Sequence, residues 1–171
     1  MVEHALQVRG LSVAYARSGA ADNVVVSGVD FALEPGTVLG MAGESGCGKS
    51  TTALAAIGYR TPGVRILSGT SSLGGTTDLL GLSEKELRTV WGRRVAYVAQ
   101  NATTALNPAI RVGEQLAQPL RLHLGLSGES LKARQIELFE QVRIPRPADA
   151  LRRYPHQFSG GQQQRVAIAI S

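Results

Sequence analysis

Residues 43–50, GESGCGKS, set glycines at 43, 46 and 48 directly ahead of a lysine and a serine. They lie between a short apolar run and a segment with helical spacing, and that order constrains the fold more than any other feature. Val38, Leu39, Met41 and Ala42 read as a buried strand, and residues 49–57, KSTTALAAI, as a helix stopping at Gly58. A strand, a glycine loop and a helix in succession turn consecutive backbone N–H groups toward one point at the positive end of the helix, a cradle for phosphate. Gly43, Gly48, Lys49 and Ser50 fill the fixed positions of G-x-x-x-x-G-K-[ST]. In that pattern Lys49 reaches the β and γ phosphates and Ser50 is placed to ligate Mg²⁺, while Thr51 adds a phosphate contact. Cys47, the single cysteine, reads as a small side chain between glycines in preference to a redox switch. One cysteine excludes an internal disulfide framework and fits a reducing compartment.

The rest of the chain alternates between strand and helix patterns. Residues 4–15 and 23–33 are β-branched, partly alternating and followed by turn formers, which predicts an early β layer. Residues 61–82 are rich in Gly, Ser and Thr and read as loops with room for one short strand, Gly74 and Gly75 making a turn. Ser83 with Glu86 is a capping box, so a short helix is expected there. Residues 94–100, RVAYVAQ, read as a second buried strand ending on Gln100. Residues 112–124 and 130–142 are helical in period, with Leu131, Leu138, Phe139 and Val142 on one side of the second. With 171 residues and 43% hydrophobic content the chain has material for one ordinary core. Its 18 Lys and Arg against 13 Asp and Glu favour an anionic partner: nucleotide, nucleic acid or acidic lipid. No apolar stretch has secretory or membrane-spanning length. A cytoplasmic location is expected, with any membrane role reached through a partner.

Residues 158–171, FSGGQQQRVAIAIS, carry a second anion cradle. Ser159 is an N-cap candidate, and Gly160 and Gly161 leave the N–H groups of a helix start open to phosphate. Together with the glycine loop, this resembles the nucleotide-binding subunit of an ABC transporter, whose LSGGQ signature is met by Phe158, Ser159, Gly160, Gly161 and Gln162. The resemblance implies an α/β fold: a P-loop NTPase core with an N-terminal antiparallel β layer and an inserted α-helical subdomain. The core would occupy residues 1–100, the helical subdomain 101–157, and the signature with the start of its helix 158–171. ATP and Mg²⁺ are the implied ligands. Gly43, Ser45, Gly46, Cys47, Gly48, Lys49, Ser50 and Thr51 would hold ATP in one subunit, and Ser159, Gly160, Gly161 and Gln162 would close over it from another. Gln100 resembles the Q-loop glutamine, meeting Mg²⁺ or the attacking water, so Ser50 and Gln100 are the metal candidates and Gln100 the catalytic one. Tyr15 resembles the aromatic that stacks on adenine, with a packed strand aromatic as the other reading.

The wording ALNPAIRVGEQL, GTTDLLGLSEKELR and YPHQFSGGQQQR is most similar to the dipeptide, oligopeptide and nickel importers of that class. The implied partners are membrane permease subunits, a second ATP-binding subunit and, indirectly, a solute-binding protein, which places the chain on the inner face of the membrane. An ABC protein acting on nucleic acid or ribosomes is the other functional class. It is disfavoured because no aromatic-and-basic platform occurs, and nucleic acid is not an expected partner.

The family continues past the signature helix with an apolar strand ending in Asp-Glu and then a switch histidine, and neither occurs in these 171 residues. VVVSGVD ends on Asp30, but it precedes the glycine loop and Phe31 stands where a glutamate is needed. His4, His123 and His156 read as surface or packing residues. The expectation is therefore a chain truncated after the signature, with an incomplete sheet and a last helix lacking a docking partner for its apolar face. Such a chain would hold nucleotide without cutting it, which makes an inactive nucleotide-binding fragment a further reading.

Overall fold

The computed structural model describes residues 4–17, 19 and 21–171. They form two compact units, Met1–Arg88 and Thr89–Ser171.

The first unit is built on an antiparallel sheet. Strands β1 (Leu6–Tyr15), β2 (Asn23–Leu33), β3 (Val64–Leu73) and β4 (Thr77–Asp78) lie in the order β2-β1-β3-β4. Strict alternation along β1 would send Val8 and Leu11 to opposite faces. Instead Val8, Leu11 and Val13 are all buried, because the register against β2 shifts between Val8 and Leu11 and again before Val13. Gly10 takes a left-handed φ of 59° at the first shift, and Asp30 Oδ1 accepts its N–H at 2.7 Å. A bulge of this kind re-aims the following side chains at a small cost in ladder bonds. Helix α1 (Lys49–Ala56) packs on this face through Ala55 and Ala56, which share a core with Val8, Leu11, Val13 and Val26. Buried Ser71 on β3 donates its hydroxyl to the Ala56 carbonyl at 2.5 Å and fixes the end of the helix.

Strand β3 is ten residues long, a correction to the loop-rich reading of residues 61–82. Its sequence, VRILSGTSSL, has few apolar residues, and it forms because β1 offers it a full edge. At Gly69 a β-carbon would lie 2.7 Å from Leu11 Cα and 2.8 Å from Arg9 O, so the glycine that weakens the strand pattern is required by the close approach. Helix α2 (Glu84–Val90) starts at the expected capping box. Glu86 Oε2 accepts from the Ser83 hydroxyl at 2.6 Å and from its N–H at 2.8 Å. These bonds, the hydroxyl's first, hold the Glu86 carboxyl below its ordinary pKa.

The second unit is helical. Helices α3 (Ala102–Ala105), α4 (Val112–Leu124), α5 (Gly128–Gln141), α6 (Pro147–Ala150) and α7 (Gly160–Ile170) surround Leu116, Leu131, Phe139, Ile144 and Val166. The apolar face of α7 is not left undocked as expected: Val166 is fully buried and Ala169 and Ile170 pack against the same cluster. Ile168 remains 47% exposed.

The two runs read as buried strands do not form strands. Residues 38–42 join no ladder among the described residues, and Val38 is 97% exposed. Residues 94–100 make only an isolated bridge, Trp91 to Val95, with Tyr97 and Val98 exposed. Central parallel strands are held by neighbours on both edges and covered on both faces. Apolar content marks a preference for that setting without supplying it.

Phe139 is fully buried at the centre of the helical core. Phe139→Ala should destabilise the second unit by about 3–5 kcal/mol, whereas Leu122→Ala on exposed α4 surface should stay within about 0.5 kcal/mol. Urea unfolding followed by far-UV circular dichroism measures both.

Candidate nucleotide-binding site

The glycine loop leads into α1 through three positive φ angles: 153° at Gly43, 83° at Gly46 and 94° at Gly48. Gly48 is the left-handed N-cap of α1 and has no side-chain cap. The first-turn N–H groups of the helix are therefore left for a ligand. The loop lies against β2: a β-carbon at Gly48 would come within 3.0 Å of Val25 O and 3.3 Å of Val26 Cγ2. At Gly43 a β-carbon would meet Cys47 Sγ at 2.7 Å. The loop is tight because both glycines are.

Lys49 closes the loop on itself. Its ammonium donates to Gly43 O at 2.8 Å and Glu44 O at 2.7 Å, with Cys47 Sγ at 3.6 Å. Ser45 sits in the turn at the loop's crest, and Ser50 is exposed on the first turn of α1. Behind the loop lies a hollow of about 300 Å³ lined by Phe31, Met41, Lys49, Thr52 and Asp30 among others. Asp30 is the one carboxylate lining it among the described residues, and that group is held by the Gly10 N–H. Tyr15 ends β1, is 40% exposed, and has its hydroxyl 3.2 Å from Thr51 Oγ1. The aromatic and the phosphate loop are thus adjacent.

In the second unit, α7 starts at Ser159 with a reciprocal cap. Gln162 N donates to Ser159 Oγ at 3.4 Å and Gln162 Oε1 accepts from Ser159 N at 3.0 Å. Around Gly160 and Gly161 a β-carbon would meet nothing within 4 Å, so the glycines leave open space at the helix start. Gln100 is exposed at the end of the extended stretch. The structure thus gathers Tyr15 and residues 43–51 in one unit and Gln100 and the signature in the other.

Three groups of positioning residues escape the sequence patterns. Thr52 is buried and donates its hydroxyl to Gly48 O at 2.9 Å, tying the cap to the helix. Gln164 Nε2 reaches Ala99 O at 3.4 Å, joining the residue before Gln100 to the signature helix. Gln115 accepts from Asn107 N and donates to Asn107 O and Ile110 O, pinning the turn after Gln100. The glutamine in RVGEQL and the run QQQR were visible as polar residues on helices, with no periodicity to mark their partners. Of the histidines, His156 stacks on Tyr154 with ring centroids 5.8 Å apart, and His123 lies beside Gly92.

Gly48 and Gly46 separate two effects. Gly46→Ala meets backbone strain alone, while Gly48→Ala meets strain and the Val25 carbonyl. Each strained φ costs about 1–3 kcal/mol, and Gly48→Ala should be the more destabilising of the two in thermal unfolding. Equal losses would mean that the approach to β2 does not constrain the loop.

Residues 26–171 match the family model for the ABC transporter. The chain is 38% identical over 166 residues to the oligopeptide transport ATP-binding protein OppD of Salmonella typhimurium, covering 97% of this chain and 49% of that protein. Against the dipeptide transport ATP-binding protein DppD of Bacillus subtilis it is 36% identical, covering 99% and 50%. The chain thus spans about half the length of these curated relatives. A dimeric ATP-binding cassette solved in a post-hydrolysis state with ADP and Pi superposes with a TM-score of 0.79 at 23% identity, over 96% of this chain and 68% of that one. The fold is that of an ABC ATPase, and the chain belongs to the ABC transporter family.

Proposed function

We propose that this chain is the ATP-binding, energy-coupling part of an ABC importer for peptides. The observation that carries the reading is the seat of Lys49 on the Gly43 and Glu44 carbonyls at the mouth of an uncapped helix. An ammonium parked on neutral acceptors, beside free helix N–H groups, exchanges them for phosphate oxygens with a gain in charge-assisted bonding. Of the peptide and nickel cargoes that the sequence allows, the names of the relatives favour peptides.

In this reading Gly43, Ser45, Gly46, Cys47 and Gly48 present backbone to the phosphates, Lys49 spans the β and γ groups, and Thr51 adds a hydroxyl contact. Tyr15, held beside Thr51, offers a face for adenine. The Ser50 side chain makes no hydrogen bond among the described residues and fits as an oxygen ligand for Mg²⁺, with Gln100 as the second candidate. When bound, Mg²⁺ neutralises charge on the β and γ oxygens. Ser159 to Gln162 of a second copy, or of a paired subunit, close over the γ phosphate with the N–H groups of their helix start. The helical segment after Gln100 meets permease subunits on the cytoplasmic side of the membrane, a solute-binding protein acts indirectly, and nucleic acid is no partner. No described helix is long and apolar enough to cross a membrane.

Lys49→Ala should weaken binding of a fluorescent ATP analogue about tenfold or more, the loss of a charged hydrogen bond being worth about 1.5–3 kcal/mol. Unchanged affinity would sink the phosphate-site assignment.

The 171 residues alone should hold ATP without cutting it. Asp30 is engaged by Gly10, and a missing general base typically costs about 10² to 10⁴ in rate. Phosphate release by the chain should match that of Lys49→Ala, even at concentrations that favour pairing; lysine-dependent turnover would reveal a carboxylate that this reading overlooks.

A further inference from the structure

Two neighbouring threonines at the start of α1 use their hydroxyls in different ways. Thr52 is buried and donates to the Gly48 carbonyl four residues back, the usual bond of a threonine within a helix. Thr51, the third residue of α1, has no such bond: its hydroxyl lies 3.2 Å from that of Tyr15, and either oxygen can donate. Each of these hydroxyls has the other as its only hydrogen-bond partner among the described residues. The backbone at Tyr15 is already fixed. It pairs with Asn23 on β2 and with Val64 on β3, and the next N–H, that of Ala16, donates to Gly63 O at 2.8 Å. What the strands leave free is the tyrosine side chain, 40% exposed, and the hydroxyl pair is what ties it to α1.

A hydroxyl offers one hydrogen and two lone pairs. With no ligand the Tyr15–Thr51 pair has no required direction. An ionised phosphate oxygen only accepts, so at the first turn of α1 it draws the Thr51 hydrogen to itself, and Tyr15 then stays bonded only by donating to Thr51 Oγ1. The result is a directed chain from the Tyr15 O–H to the Thr51 O–H to phosphate, in which each bond polarises the next. We propose that Thr51 and the Tyr15 hydroxyl form a relay that couples phosphate binding to the setting of the Tyr15 ring. Thr51 positions the ring, and the tyrosine hydroxyl in turn orients Thr51 toward phosphate. The relay rests on the nucleotide reading above and deepens it, since a ring that served only as a stacking face would do as well without its hydroxyl.

Displacement of a fluorescent ATP analogue from the full chain by ATP and by inorganic tripolyphosphate, which has no base, tests the relay. Tyr15→Phe keeps the ring and removes the hydroxyl, and it should weaken both ligands about fivefold, the loss of one ordinary hydrogen bond. Thr51→Val, close to threonine in shape, should weaken both by at least as much, and in that background Tyr15→Phe should cost nothing further. Thr51→Ser keeps a hydroxyl and should restore the dependence on Tyr15. The relay is overturned if Tyr15→Phe weakens ATP alone or neither ligand, because the ring then acts on the base only. It is overturned too if the loss from Tyr15→Phe survives in Thr51→Val, because the tyrosine hydroxyl then meets phosphate directly. Both of these outcomes leave the phosphate site standing as long as Lys49→Ala weakens both ligands. An absence of binding, or binding indifferent to Lys49→Ala, removes that site and the relay with it.

Discussion

The candidate nucleotide site depends on how closely α1 and its loop can lie against β2. Ala55 and Ala56 allow the helix to settle among Val8, Leu11, Val13 and Val26, and Gly48 allows the loop to pass the Val25 carbonyl. Larger residues at any of these positions would lift the helix away from the sheet. The helix N-terminus, its unpaired N–H groups and the Lys49 amine would then lose their common direction. Packing of small residues thus sets the electrostatics: the cradle is positive because the backbone is close, and close because side chains are missing.

What the sequence revealed follows the same division between local and non-local causes. The glycine loop, α1, the two long N-terminal strands, the Ser83–Glu86 cap and helices α4 and α5 were legible because each is specified within a dozen or so residues. Strand β3 was not, since Ser, Gly and Thr there say little about burial and its existence rests on β1, some fifty residues away in the chain. The opposite error arose at 38–42 and 94–100, where apolar runs promised ladders that require neighbours. Among the site residues, the motif positions were readable from type and spacing. Thr52, Gln115 and Gln164 were not, because each acts on a backbone carbonyl and any polar side chain of the right length would look the same in sequence.

The chain also separates its chemical tasks by unit. The first unit, slightly acidic, concentrates its specificity in backbone geometry, with left-handed glycines and one lysine. The second carries the positive excess on helix surfaces and presents a signature helix whose cap is complete in itself, Ser159 and Gln162 satisfying each other. A self-satisfied cap keeps the helix start formed with no ligand present, so that on the proposed reading closing over a nucleotide would need no local folding.

The bond from Gln164 to Ala99 has a different kind of consequence. At 3.4 Å it is a long hydrogen bond, and a neutral bond of that sort is worth about 1 kcal/mol or less. Energy on that scale leaves roughly one molecule in six, or more, with this bond open at room temperature. The Gln164 side chain therefore holds the residue ahead of Gln100 most of the time and releases it the rest, while α7 stays packed through Val166. A latch of this strength ties the stretch before α3 to α7 while still letting it go.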